Sequence, residues 1–494
     1  MVVAFPSSLH AQDADWSVLA RGEVRLGIAG GFVHGDRRFG SGGGDLPLAA
    51  DLRAPNAATL FPGVGALTEN LRGILGDEAY QPVLGGTGAF LQASQIRVPM
   101  TAELGVTGWL TVGVTVPALK SRVEGDLGLR PSAGDDVGIN PVIARFAEVS
   151  AFTGQLRAAA LALPAAEAEL WGPWADRWAA AYGASALFPA SGTASGDALL
   201  AALESFNAAL AAAGVPVVTA PVPLANGVLT NERMRFLLAD PAGPFHILPL
   251  PTQLLWTLGD VELDARVRLL EGPARPGSGR PAWGLTALGT LRLPTGAGDD
   301  PRVLYDIPMG EGLLGYRVGA AGWARTGRLG LSAMGRLGFF RGGDVTRRIA
   351  PPELALVPAA NLAVVHRDPG GTVELEVRPS LMPAPPLSVE GFYRYERRDP
   401  DRFRASGPLP AAPEAGGQPL PVGPIFSDPS LLAQQTGSTL HLAGVGLRYH
   451  PPAGEFPVEV WANVNWTVAG SGGRTLRQTR LLFGGRTTLR LWGR

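Results

Sequence analysis

In the stretch GDVELDARVRLL, residues 259–270, Asp260, Glu262, Asp264, Arg266 and Arg268 take the even positions, and Val261, Leu263, Ala265, Val267 and Leu269 take the odd ones. On an extended chain successive side chains point to opposite faces, so five ionisable groups of both signs line up on one side. Carboxylates and guanidiniums in such a row suit ion pairing or the filtering of charged solutes.

The same alternation puts further charged residues in phase with apolar partners. They are Arg25 beside Arg21 and Glu23, then Arg97 and Glu103, Arg292, Arg317 and Arg336, and the trio Glu374, Glu376 and Arg378. Glu390 and Arg394, Glu459, and the spaced Arg480, Arg486 and Arg490 complete the set. All are candidates to line a wet interior. In a narrow interior, side chains this long cross-link and fill the space, whereas in a wider one they select solutes by charge.

Bond-making chemistry finds little support. The 6 histidines show neither HExxH nor paired spacing, and no GxSxG elbow or GxxxxGK[ST] loop occurs. His441 lies on a strand-like stretch, but the position two residues on, where barrel-borne hydrolases carry a serine, is Ala443. Asp45 and the pair Asp299 and Asp300 stand in turn-like segments and read as solvated acids. The absence of cysteine excludes thiolate metal sites and disulfides. No enzyme activity, metal or cofactor is expected.

The elements that must position these residues are strands. Alternation recurs at 21–32, on both sides of a tight turn at 106–108, at 259–270 and 283–296, and again at 313–324, 327–340, 372–382, 386–397, 439–450, 456–468 and 476–492. That is about twelve strands. Connections alternate between short turns and long segments at 35–93, 121–256, 296–312, 341–371 and 398–438. This asymmetry, with an even strand number, belongs to barrels whose apolar face meets lipid.

The segment 121–256 differs from the rest. Residues 141–185 and 195–214 are Ala-rich with helical spacing, so two or three helices are expected inside this one loop. A shorter helix is expected where Leu67, Leu71 and Leu75 recur in another loop.

Among the 494 residues are 67 Gly and 44 Pro, with 17% charged residues and a formal charge of −1, which suits a turn-rich β protein and excludes a nucleic-acid partner held by excess basic charge. No apolar run approaches the ~18 residues of a spanning helix. The start, MVVAFPSSLHA, reads as the remnant of a secretory signal over residues 1–11, leaving 12–494 as the barrel chain.

Three stretches, ELGVTGWLTVGVTVP (103–117), GDVELDARVRLLEG (259–272) and LGTLRLPTG (288–296), resemble outer-membrane channels of the phenol meta-pathway transporter type, which are distantly like long-chain fatty acid transporters. The resemblance is strong over these segments and loose over 94–492. It differs in the longer helical insertion and in an end where Trp492, not the final residue, is the terminal aromatic. It implies an all-β fold, a single antiparallel transmembrane β-barrel in the cell outer membrane. Its partners would be outer-membrane lipid, the barrel assembly machinery and a small hydrophobic or aromatic solute taken up passively through a porin-like channel. The alternatives are an occluded structural or adhesion barrel and a barrel-borne hydrolase.

Overall fold

The computed structural model describes residues 16–241, 243–248, 252–253, 255–273, 281–411, 423–452, 457–472 and 475–492. The expected signal remnant, 1–11, lies outside them. Twelve long strands form the wall: β1 (Glu23–Phe39), β2 (Thr87–Gly105), β3 (Leu110–Leu129), β4 (Glu262–Gly272), β5 (Ala282–Arg292), β6 (Gly315–Thr326), β7 (Leu329–Phe340), β8 (Thr372–Ala384), β9 (Leu387–Arg398), β10 (Ser438–Tyr449), β11 (Val458–Ser471) and β12 (Leu476–Arg490). Each pairs antiparallel with its sequence neighbours. β1 pairs with both β2 and β12, which closes the barrel.

Period-two patterning decides which side of the wall each residue faces. Leu26, Ile28 and Phe32 on β1, Leu263 on β4, Val318 on β6, Leu331 on β7, Leu375 on β8, Val445 on β10 and Phe483 on β12 are all exposed. Their charged or small neighbours, one residue along, are buried or half-buried inside. Exposed apolar side chains on nearly every strand are destabilising in water and stabilising in hydrocarbon, so this wall is a transmembrane one.

The two ends of the wall differ. Tight turns join β2 to β3, β6 to β7 and β8 to β9, and the chain enters β1 and leaves β12 at this end. There Leu491 N–H donates to Gly22 O at 2.9 Å. Gly22 has φ +78°, and an added Cβ would stand 2.0 Å from the Trp492 carbonyl oxygen. Only glycine fits this junction. The long connections all leave from the other end.

Two strands run further than their apolar rows suggest. β2 begins at Thr87, inside the segment expected to be loop, and β3 continues past residue 121 to Leu129. Along β3 the outward positions change from Val112, Val114 and Val116 to Lys120, Arg122 and Glu124, while Leu119, Ser121 and Val123 stay buried. The strand leaves the lipid layer near Lys120 and keeps its pairing above it.

The extended pair carries a helical cap. It comprises α1 (Val64–Leu75) from the β1–β2 connection and α2 (Phe146–Leu161), α3 (Ala165–Ala184), α4 (Ala194–Ala212) and α5 (Asn231–Ala239) from the β3–β4 connection. Four helices therefore occupy the insertion, where two or three were expected. The helices bury one stripe each: Val149, Phe152, Leu156 and Ala160 on α2, Ala175, Trp178 and Tyr182 on α3, and Leu199, Leu203, Phe206 and Leu210 on α4. Phe152 meets Trp178 edge-on at 5.2 Å, and Tyr182 stacks on Phe188 at 4.2 Å. Thr193 and Thr230 cap α4 and α5 by accepting from Gly196 N and Arg233 N.

This core continues into Leu91 and Val123 of the β2–β3 extension, Tyr305 of the β5–β6 connection and Leu356 of the β7–β8 connection. Gly423 N, in the β9–β10 connection, donates to Gly183 O of α3. The cap thus touches loops on opposite arcs of the rim and bridges the mouth.

Candidate functional site

The site is the barrel interior, and its charged groups fall into layers. At the end bearing the tight turns, Arg25 and Arg266 both bind Glu103 of β2, the former at 3.3 Å. Arg448 joins Glu390 at 2.8 Å to Glu459 at 2.6 Å, and Arg486 also meets Glu459 at 2.7 Å. Arg268 pairs with Glu271 and donates to Val18 O. Arg490 lies at the rim, exposed, with Glu23.

Halfway up, Glu262 accepts ion pairs from Arg292 at 2.9 Å and Arg317 at 2.8 Å, while Asp264 accepts from Thr290 Oγ1 at 2.7 Å. On the opposite wall Arg394 gathers Glu374, Glu376 and Glu396, and Arg378 binds Glu376 at 2.5 Å while lying 5.0 Å from the Phe392 ring centroid. Arg97, Arg336 and Arg480 belong to the same layers but stand in no ion pair among the described residues. Side-chain pairing of this density leaves a cavity of about 100 Å³, lined by Arg336, Glu103, Trp16, Leu288, Met334 and Trp461 among others.

Above this lies a roof built by loops. Asp260 accepts backbone N–H bonds from Gly296 and Glu311, each at 2.9 Å, and so ties the β3–β4 and β5–β6 connections together. The Glu311 side chain meets Arg398 at 2.7 Å and Arg367 at 3.2 Å, and Asp401 meets Arg367 at 2.8 Å. Burial opposes the charged form of Glu311, but Arg398 and Arg367 outweigh it and hold the carboxyl well below the ordinary glutamate value. A chamber of about 210 Å³ lies between this roof and the cap, lined by Tyr305, Arg347, Arg348 and Leu354 among others.

At the other mouth residues 16–22 enter the lumen. Gly22 N donates to Gly105 O at 2.8 Å and Leu19 N to Thr111 Oγ1 at 2.8 Å, and Arg25 reaches Ser17 Oγ at 3.4 Å. Trp16, the first described residue, is buried against Leu288, Ala321 and Met334 on β5, β6 and β7. Those strands face β1 across the barrel. The segment is a strap over the floor of the lumen.

The structure turns most of these candidates inward, but Arg490 lies exposed at the rim and Asp260 belongs to the loop roof. The spacing rule missed the strap, whose only signal is the apolar trio Trp16, Val18 and Leu19 ahead of β1. It also missed Glu396 and Arg448, although each lies in phase with charged or buried neighbours on its own strand, and it had no means to place Glu311, Arg367, Arg398 and Asp401 together. His441 is on the outer face, where its Nδ1 lies 2.8 Å from Tyr393 Oη and its ring meets Tyr395. Asp45 pairs with Arg37 and Arg477, Asp299 with Arg347 and Asp300 with Arg302.

Solved structures with a similar course are outer-membrane barrels. An outer-membrane channel from Pseudomonas putida F1 is 9% identical, covers 97% of this chain and 100% of its own, and has a TM-score of 0.44. The Ralstonia pickettii toluene transporter is 10% identical over 95% of this chain and 90% of its own, with a TM-score of 0.30. The translocator domain of the autotransporter NalP from Neisseria meningitidis is 8% identical over 95% and 89%, with a TM-score of 0.29. No protein-family model and no curated protein sequence matches the chain. At these scores the architecture stands on the chain's own closed register.

Proposed function

We propose that this chain is an outer-membrane channel for passive uptake of a small, hydrophobic or aromatic solute, held shut by its own strap, roof and cap. The observation that carries the reading is where the closures come from. Strap, roof and cap are connecting or terminal segments, so they can move without breaking one strand pair of the wall. An occluded structural barrel would need no cavity between its closures, whereas about 100 Å³ remains between strap and roof. Trp16, Leu288, Met334 and Trp461 give that space an apolar side suited to an aromatic body.

The test is conductance of the purified barrel in planar bilayers. The intact chain should conduct weakly. Deleting residues 141–213 or residues 12–20 should raise single-channel conductance, and deleting both should raise it most. A folded double-deletion variant with no detectable conductance would replace the channel by the occluded structural barrel.

A further inference from the structure

Arg480 stands on the inward face of β12, opposite Asn465 of β11 and Val33 of β1. It is 0% exposed, and its Nε, Nη1 and Nη2 have no hydrogen-bond partner. Two residues along the same face Gln478 is 2% exposed with both side-chain polar atoms unmatched. Arg97 on β2 is also buried, its Nε unmatched. Gly31 lies between β2 and β12 opposite Arg97 and offers no side chain to screen it.

Arg97 and Arg480 are within electrostatic reach of one another, so each worsens the other's position. The described carboxylates that act most on Arg480 are Glu396 and Glu374. Both are already held by Arg394. The acids that act on Arg97, Glu262 and Asp260, are likewise engaged, Glu262 by Arg292 and Arg317 and Asp260 by backbone N–H groups; a buried guanidinium with no directly bonded counter-charge is unfavourable, and two side by side more so. Among the described residues no carboxylate bonds Arg480 directly, and an anion entering the lumen would supply that contact. A guanidinium presents N–H groups in a planar fork that matches the two oxygens of a carboxylate, and the Gln478 amide adds a further donor.

We propose that Arg480, Arg97 and Gln478 form an anion-binding site in the half of the lumen nearer the cap, and that its ligand is a carboxylate, the charged end of a small organic acid. The site sits in the same lumen as the apolar cavity beside Arg336. The solute class of the channel proposed above thereby narrows to small aromatic or aliphatic carboxylates, a step that rests on that channel reading; the binding itself does not.

The purified full chain in detergent, in low-salt buffer, is melted with increasing sodium benzoate, benzyl alcohol or sodium chloride. Benzoate should raise the melting temperature saturably by about 2 °C or more. Benzyl alcohol, with the same ring and no charge, should not. Arg480→Gln should abolish the benzoate shift while leaving the anion-free melting temperature unchanged or higher, since it removes a charge with no directly bonded counter-charge. Arg97→Gln should weaken the shift and carries the same test if Arg480→Gln does not fold. Equal shifts from benzoate and benzyl alcohol, or a benzoate shift retained in both variants, overturn the site. Equal shifts from chloride and benzoate overturn the carboxylate assignment. A saturable, Arg480-dependent shift in a barrel that never conducts would fail the channel and leave the site standing.

Discussion

Leu263 and Glu262 are adjacent in sequence and live in different solvents. Leu263 faces lipid, and a cation there costs roughly 2–4 kcal/mol near mid-membrane. Leu263→Arg should therefore cut folding yield in lipid vesicles severely. Glu262 is the shared partner of Arg292 and Arg317, so Glu262→Gln leaves two buried guanidiniums short of charge. That variant should insert but be less stable, by on the order of 1–3 kcal/mol, and so melt lower. Normal insertion of both variants with unchanged melting would show that these two faces are misassigned.

Glu311 gives a pH handle outside the lipid layer. Its folded value is depressed, so its contribution is fully present above the ordinary value of 4.5 and is lost as pH falls through the folded value. Acidification from about pH 5 to about pH 2 should loosen the roof and make residues 299–311 accessible to an acid-active protease. Glu311→Gln should show part of that accessibility at neutral pH. A roof equally protected in both proteins at every pH would assign its closure to backbone bonds alone.

At the scale of elements, the reading from sequence succeeded where one surface dictated the pattern. Every strand with a lipid face shows period two, because hydrocarbon tolerates nothing charged on that side. Helices α2 to α4 were legible because each buries an apolar stripe at helical spacing. The nine-residue α5 was not, since Met234 and Leu237 alone mark its buried face. The upper parts of β2 and β3 were hidden for a related reason: once Lys120 clears the lipid, the outer face turns polar and the contrast between faces is lost. Phe206 tests whether the cap folds around its own core. Phe206→Ala should cost about 3–5 kcal/mol of cap stability, making residues 141–213 protease-sensitive while the barrel keeps its heat-modifiable mobility on gels. Loss of both together would mean that cap and wall fold as one unit.

Across the whole molecule, alternation assigned residues to the interior but could not say which would meet. Ion pairs such as Arg448 with Glu390 and Glu459 follow from strand register, and the roof joins residues from four separate connections. Register and loop course are global properties, set when β1 closes onto β12, so no local spacing encodes them. The strap is global in the same sense, because Trp16 finds its apolar patch only after β5, β6 and β7 stand opposite β1.

The junction at Gly22 has a consequence for chain order. Leu491 hydrogen-bonds to Gly22 within the closed wall, so the polypeptide is nearly a ring whose covalent gap lies at one rim. A circular permutant joining Trp492 to Arg21 through a short glycine linker, with new ends between residues 411 and 423 of the β9–β10 connection, keeps every strand pair of the wall and lacks residues 16–20 of the strap. It should assemble into the same wall, now beginning with β10 and ending with β9, and leave the floor of the lumen open from the start.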